Sequence, residues 1–581
     1  ILPRFGKSDM SKTSAYAPVV HPHRWLPESV SLASWEEIEP YYRALLDRPL
    51  TSASELESWL LDSGELNAAV HQERDRRYIA MTCQTDDAER EAAHLAFVRE
   101  IEPQLKVMQN ELRARYLDCP FRNELDARRF EVFNRAQANR RSLFREENLP
   151  RETELAELEQ HYQKTIGAMT VTFRGEERTL AQMSVFLEET DRALRQEVWE
   201  LTTRRRLVDR DTLDGLFDQM VALRTEIARA AGFESFTDFA YRSRERFDYG
   251  IEEVARFRDA IEGEVVPIVS ELHQRRRAKL GVDRLRPWDL SVDPEGRPPL
   301  RPFQETEALV QGTERIFEHI DPEFAAQFRF LHEKGLLDLA NRKGKAPGGY
   351  QTTLEDDRLP FIFMNSVGVD GDIRTLLHEG GHAFHALAAR DQELAAYREA
   401  PIEFCEVASM TMELFGGRDL SEFYSPEDAQ RSYQELLEGV VTVLPWIATV
   451  DGFQHWVYAH PTHTREQRRA AWTELVERFG GAVDWSGYED VRGSSWHRQL
   501  HIFLYPFYYV EYGIAQLGAL QLWTRWLSDR SGAVSAYKKG LALGGSRPLP
   551  ELFEACEIPF AFDRDTLRPL MAKVAEQLQF E

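Results

Sequence analysis

Apolar residues recur at helical spacing through most of this chain. Repeats at i, i+3, i+4 and i+7 predict helices over Trp35–Asp47, Ala53–Leu61, Asp86–Leu117, Glu152–Gly167 and Ile251–Leu280. One further long run, Ala181–Ala231, is interrupted near Asp209, Arg210 and Asp211. Strand patterns are few: Met169–Phe173 with Arg178–Leu180, and the apolar run Leu359–Asn365 between turn signals. Gly281–Pro302 is rich in Pro, Asp and Gly and reads as a surface loop. No internal repeat or low-complexity segment is present. The expectation is a mainly α protein with a small sheet. As an edge strand, Leu359–Asn365 could bind an extended peptide through main-chain hydrogen bonds. An ordinary buried strand fits the same pattern.

Composition narrows the class. At 581 residues the chain is long enough for two or more lobes. Its 97 acidic against 72 basic residues give a net charge of −25, which argues against nucleic acid as a partner. The runs Arg204–Arg206 and Arg275–Arg277 fall in predicted helices and read as solvated faces. No uninterrupted stretch of about 18 apolar residues exists, so no membrane span is expected. Ile1–Pro18 lacks the pattern of a secretory leader, and residues 1–15 are expected to be disordered or foreign to the natural start. The four cysteines, Cys83, Cys119, Cys405 and Cys556, are far apart and form no CxxC; a reduced cytoplasmic compartment is the simple inference.

The chemistry concentrates in His378-Glu379-Gly380-Gly381-His382, an HExxH pattern in helical surroundings. On a helix, positions i and i+4 share a face, so both imidazoles can reach one metal ion. Glu379, beside them and not a ligand, could take a proton from water at that ion. Each glycine costs about 1 kcal/mol in a helix interior relative to Ala, which makes sense where something approaches the backbone closely. The third ligand is not a metzincin histidine, because His385 and Ala388 occupy the positions that class gives to Gly and His. A carboxylate from the next predicted helix is the alternative. After Pro401, the residues Glu403, Glu406 and Glu413 lie close to one face of a mostly apolar helix. One of them would bind the metal, and a second would orient a ligating His.

These residues resemble peptidase family M3, which includes oligoendopeptidase F, thimet oligopeptidase and neurolysin. In that family the helix after the zinc motif reads E-x-x-S-x-x-x-E, matched here by Glu406, Ser409 and Glu413. The resemblance makes Glu406 the third zinc ligand with His378 and His382, and Glu413 the outer carboxylate. It extends to Gly344–Tyr350 with Leu359–Asn365, to Trp496–Phe503 with Pro506–Tyr512, and to Ser546–Phe553.

From the last active-site segment the resemblance carries over His501, Tyr508 and Tyr512 as catalytic donors, beside the general base Glu379. Spacing alone places Tyr505, Tyr508, Tyr509 and Tyr512 on one helical face. Gly349, Tyr350, Phe361, Phe363 and Tyr505 become candidates for touching the peptide. The resemblance further implies two helical lobes around a deep central channel, with a small β-sheet beside an HExxH zinc helix in a thermolysin-like core. An N-terminal helical domain over 16–200 would precede a catalytic domain over 201–581. The implied activity is zinc-dependent cleavage of internal bonds in short peptides, with one Zn²⁺ per chain, in a monomer or homodimer. A carboxypeptidase or dipeptidyl-carboxypeptidase, or a non-catalytic peptide-binding protein, are the rival readings.

Overall fold

The computed structural model describes residues 21–579, so the expectation for residues 1–15 lies outside the described residues. Among the described residues helices dominate, with five short strands: β1 (Thr170–Phe173), β2 (Glu176–Thr179), β3 (Leu337–Ala340), β4 (Tyr350–Leu354) and β5 (Leu359–Ser366). Packing divides the chain into two compact units that interleave along the sequence. One comprises 21–141, 300–433 and 518–560, the other 142–299, 434–517 and 561–579.

Local chemistry explains where the helices differ from the predicted ones. The helix from Ala53 runs on to Cys83. It buries Asp62, Gln72 and Asp75 as well as apolar residues, and that blurs the amphipathic stripe beyond Leu61. The segment expected as one helix over Asp86–Leu117 contains a wide π turn, Phe97–Ile101, just before Pro103, whose missing N–H cannot continue an α ladder. Ile251–Leu280 likewise breaks at Val265, two residues before Pro267.

Within the first unit, β5 pairs with β3 in parallel and with β4 in antiparallel register, so the strand order is β3-β5-β4. Of the two readings open for Leu359–Asn365, the buried strand is the one that forms, and it is central. Its residues are buried on both faces, which is why its pattern is a continuous apolar run rather than an alternation. The edges belong to β3 and β4. The second unit holds the β1-β2 hairpin and a ring cluster in which Trp496 lies 4.8 Å from Phe217, 5.4 Å from Phe453 and 5.3 Å from Phe503.

The helix Pro426–Ala459 is long and apolar enough to cross a membrane by length and composition. Counting uninterrupted apolar residues misses it, because Gly439, Thr442, Pro445 and Thr449 break the run. In the structure 67% of its most apolar window is buried inside the protein, as in a core helix.

The turn that joins β4 to β5 is clamped from the N-terminal region. His71 Nδ1 lies 3.4 Å from Glu355, His23 Nε2 lies 2.9 Å from Asp356, and Asp357 accepts from Gln72 (3.0 Å) and Arg76 (2.7 Å). The hydrogen bond to Asp356 raises the His23 pKa from 6.5 to about 9, against the opposing effect of burial. The folded state thus holds this proton more tightly than the unfolded one. The pair stabilises the fold in full below about pH 6.5 and loses that contribution as pH rises through about 9. His23→Gln is expected to lower the thermal midpoint at pH 6 and to match wild type above pH 9.5. Melting curves across that range check this, and a gap independent of pH would contradict it.

Candidate metal centre and active site

The motif helix spans Asp370–Ala389. Its first turn is capped by Asp372, whose Oδ2 accepts the main-chain N–H of Val367 (2.8 Å), Gly368 (2.8 Å) and Val369 (3.0 Å). A carboxylate at this end also complements the helix dipole. The second helix, Ile402–Gly416, begins directly after Pro401, as expected from the breaker.

The two helices cross at the motif glycines. A Cβ on Gly381 would stand 2.6 Å from the Ala408 carbonyl oxygen and 2.6 Å from Ser409 Cα, and one on Gly380 would stand 2.6 Å from Phe317 Cζ. Only glycine lets the backbone bearing Glu406 come this close to the backbone bearing the histidines. Gly381→Ala is expected to cost about 1–3 kcal/mol of stability by overpacking and to weaken metal binding by pushing the second helix away. Denaturant unfolding and a zinc titration measure both. Wild-type values would contradict the close-approach argument.

The crossing assembles a ligand set. His378 Nε2 lies 3.4 Å and His382 Nε2 3.7 Å from Glu406 Oε2. One ligand atom from each of these three residues lies within 4.8 Å of the others, the one such group found among the described residues. Glu403, the rival carboxylate, is buried but outside this group. Glu413 Oε1 lies 2.7 Å from His378 Nδ1, which fixes that ring and leaves its Nε2 facing the other ligand atoms. Ser409 Oγ donates to Glu406 Oε2 at 2.9 Å. The sequence pattern contains this serine, but only the structure shows what it holds.

Charge at the centre fits a cation. Burial raises the Glu406 carboxyl above its usual range. Burial also pushes Glu379 up to about 7; His378 opposes this, and Glu406 and Glu413 add to it. Burial works against a charged His378, yet the bond to Glu413 and the neighbouring carboxylates outweigh it and bring its pKa to about 9. Burial and His378 together hold His382 well below 6.5, hence neutral with a lone pair to offer. The buried carboxyls of Glu379 and Glu406 and the half-buried Glu413 around two imidazoles form an excess of negative potential, and a divalent ion bound by two nitrogens and one oxygen would satisfy it. These donors suit zinc.

Glu379 stays outside the ligand set. The main-chain N–H of Gln351 in β4 lies near enough to lower the pKa of its carboxyl slightly, against larger effects that raise it, and the motif helix packs on β4. Nothing in the local sequence marks Gln351, because the contact depends on how the sheet packs against the helix. Among the proposed peptide-contacting residues, Tyr350 is in β4 and stacks on Phe363 at 4.8 Å with an interplanar angle of 12°; its hydroxyl is 2.7 Å from Thr82 Oγ1. Gly349 precedes it, with Phe363 O and Thr375 Cγ2 each 3.4 Å from a built Cβ. Phe361 and Phe363 are buried in the central strand, and of the two edge strands β4 is the one that packs against the motif helix.

The second unit gathers the aromatic group. The expected single helical face for the tyrosines is not what forms. Tyr505 ends the short helix Leu500–Leu504, Phe507 takes a left-handed backbone (φ 64°), and the next helix starts at Tyr509. The rings nonetheless converge on His501, with centroids 5.9 Å (Tyr508), 4.7 Å (Tyr509), 6.0 Å (Tyr512) and 6.1 Å (Tyr505) away. Tyr505 is half exposed.

The tautomer of His501 follows from its neighbours. Trp446 Nε1, which can only donate, is 2.9 Å from Gln499 Oε1. The other end of that amide is therefore its NH₂, and it lies 2.7 Å from His501 Nδ1, which must accept. Burial, with Arg244 nearby, lowers the pKa of His501 to about 4. The ring is thus neutral with its proton on Nε2. Gln499 fixes this tautomer, a role the sequence reading did not assign to it.

Comparisons with known proteins place the chain among peptidases. The model of peptidase family M3 matches residues 185–571, and that of the peptidase M3 N-terminal domain matches 29–143. Oligopeptidase PepF of Bacillus subtilis (strain 168) is 26% identical over 273 residues, 44% of this chain and 40% of that protein. Group B oligopeptidase PepB of Streptococcus agalactiae serotype III (strain NEM316) is 23% identical over 288 residues, 48% and 46% respectively. The chain matches less than half the length of these curated relatives. A solved structure of PZ peptidase A with an inhibitor superposes with a TM-score of 0.86 at 30% identity, covering 94% of this chain and 97% of that one. Oligoendopeptidase-F from Enterococcus faecium shares the fold, with a TM-score of 0.62 at 15% identity over 94% and 96%.

Proposed function

The chain belongs to peptidase family M3, in its oligoendopeptidase F branch, and on that premise we propose that it is a zinc-dependent endopeptidase of short peptides. The observation that carries the reading is the convergence of His378, His382 and Glu406 beside the non-ligand carboxylate Glu379. In this reading the three residues hold one Zn²⁺, and Glu413 and Ser409 orient His378 and Glu406. Zinc bound there supplies a Lewis acid, which acidifies water and polarises a peptide carbonyl. Glu379 accepts a proton from the attacking water at its carboxylate and delivers it to the leaving amine. An N–H or O–H from His501, Tyr508 or Tyr512 donates to the oxygen on which charge develops. The Nε2–H tautomer of His501 supports that assignment. An extended peptide would run along the outer edge of β4, its main chain pairing where the sheet has no further strand, with Gly349, Tyr350 and the half-exposed Tyr505 among the residues that meet it.

The division into an N-terminal helical domain over 16–200 and a catalytic domain over 201–581 belongs to the same proposal, as do a cytoplasmic location and a monomeric or homodimeric state. Product analysis on matched peptides tests the cleavage mode. An endopeptidase cuts a peptide blocked at both ends at an internal bond. Cleavage confined to peptides with a free C-terminal carboxylate would instead make the protein a carboxypeptidase or dipeptidyl-carboxypeptidase. Tight peptide binding without cleavage would make it a binding protein.

A further inference from the structure

The segment between His501 and Tyr508 is built around an unusual backbone. Phe507 is a bulky residue in the left-handed region at φ 64°, fully buried, its ring 5.0 Å from His455, 5.5 Å from Tyr458 and 5.8 Å from Tyr241. Large side chains rarely adopt that conformation, and where they do the surroundings must enforce it. Here three side chains from elsewhere in the unit do so. Arg244 Nε donates to the Pro506 carbonyl at 2.9 Å, and Arg246 donates to the Phe507 carbonyl. Gln454 Oε1 accepts the Phe507 N–H at 3.1 Å, while its Nε2 donates to the His501 carbonyl at 3.5 Å. Arg246 is held by a buried ion pair with Glu511 at 2.8 Å, on the first turn of the helix that follows. Arg244 also lies with its guanidinium 5.0 Å from the Tyr508 ring centre. The two arginines themselves flank a second left-handed residue, Glu245 (φ 56°).

The consequence is geometric. Every main-chain polar group of Phe507, and the Pro506 carbonyl before it, is tied to a side chain of fixed position. The turn can therefore present Tyr508 in only one way, its ring nearly parallel to that of His501 (13°) with the centroids 5.9 Å apart. An uninterrupted helix would place Tyr508 two turns on from His501 and one turn on from Tyr505, and would not need these partners.

We propose that Arg244, Arg246 and Gln454 are positioning residues that lock the left-handed Phe507 turn and so set the placement of the Tyr508 hydroxyl against the His501 Nε2–H. The inference rests on the assignment of Tyr508 as an oxyanion donor. A residue that acts only through Tyr508 should matter only while that hydroxyl is present. The test is a double-mutant cycle of Arg244→Met with Tyr508→Phe on a blocked peptide, with kcat, KM and the melting midpoint measured for each protein. Arg244→Met alone is expected to lower kcat about tenfold or more with KM near wild type, and to add almost nothing in the Tyr508→Phe background. If Arg244→Met fails to fold, Gln454→Met in the same cycle gives the same reading through the other anchor. Losses that add fully across the two backgrounds, or an unchanged kcat, overturn the proposal alone. A Tyr508→Phe enzyme with wild-type kcat overturns both it and the donor assignment.

Discussion

Glu379→Gln is expected to abolish useful peptide cleavage, lowering kcat by about 10²–10⁴-fold, while the protein still folds and binds zinc. Glutamine has nearly the same shape and volume, so the packing of the motif helix around it is kept. Metal binding survives because Glu379 is not one of the converging ligand atoms. What the amide cannot do is take up a proton. The environment of Glu379 shows why this residue suits the role. Without a metal ion, burial, opposed by His378 and aided by Glu406 and Glu413, raises its pKa to about 7; a bound divalent cation favours the ionised carboxylate, which is the form a general base needs. Zinc content measured beside kcat separates this loss from loss of the metal. Cleavage retained at wild-type rate by a zinc-loaded Glu379→Gln protein would remove the general base from the account.

The second large effect is graded and tells three carboxylates apart. Glu406→Ala is expected to weaken zinc binding by well over 100-fold and to eliminate cleavage at ordinary zinc concentrations, since it removes one of three ligands. Glu413→Ala removes the acceptor that holds His378 Nδ1 at 2.7 Å, and loss of such an outer partner costs about 10–100-fold in affinity or activity. Glu403→Gln is expected to leave zinc affinity unchanged, although the residue is buried and its loss can lower stability. Zinc titrations of the three variants against a competing chelator give the order directly. A zinc defect in Glu403→Gln as large as in Glu406→Ala would mean that the wrong carboxylate has been placed at the centre.

What the sequence reveals here is mostly what a helix repeats. His378 and His382 share a face because of the helical period, and the same period puts Glu406 and Glu413 on one stripe of the next helix. That period also keeps Glu403 as an equal candidate, and only the crossing of the two helices decides between them. The glycines of the motif hint at a close approach, but that the approaching chain is Ala408 and Ser409 depends on tertiary packing.

β5 shows the limit from another side. A fully buried strand reads as an apolar run whether it is central or at an edge, so its neighbours β3 and β4 are invisible in it. The tyrosine segment fails for a backbone reason: nothing in the sequence Tyr505-Pro506-Phe507-Tyr508 announces that a phenylalanine will adopt a left-handed conformation. It does so because Arg244, Arg246 and Gln454, distant in sequence, hold it there. The helix Pro426–Ala459 mixes its apolar residues with Gly, Thr and Pro, and so escapes a count of unbroken runs while still being largely core.

The central claim is that peptide bonds are cut at a metal held by His378, His382 and Glu406. It is tested most directly by incubating a quenched peptide of about ten residues, blocked at both ends, with the protein as purified, after a chelator, and after zinc is returned. Products are identified by mass spectrometry. The account predicts internal cuts that vanish with the chelator and return with zinc in wild type but not in Glu379→Gln. Full zinc occupancy with no cleavage of any peptide in a mixed library, or cleavage indifferent to the chelator, would contradict it.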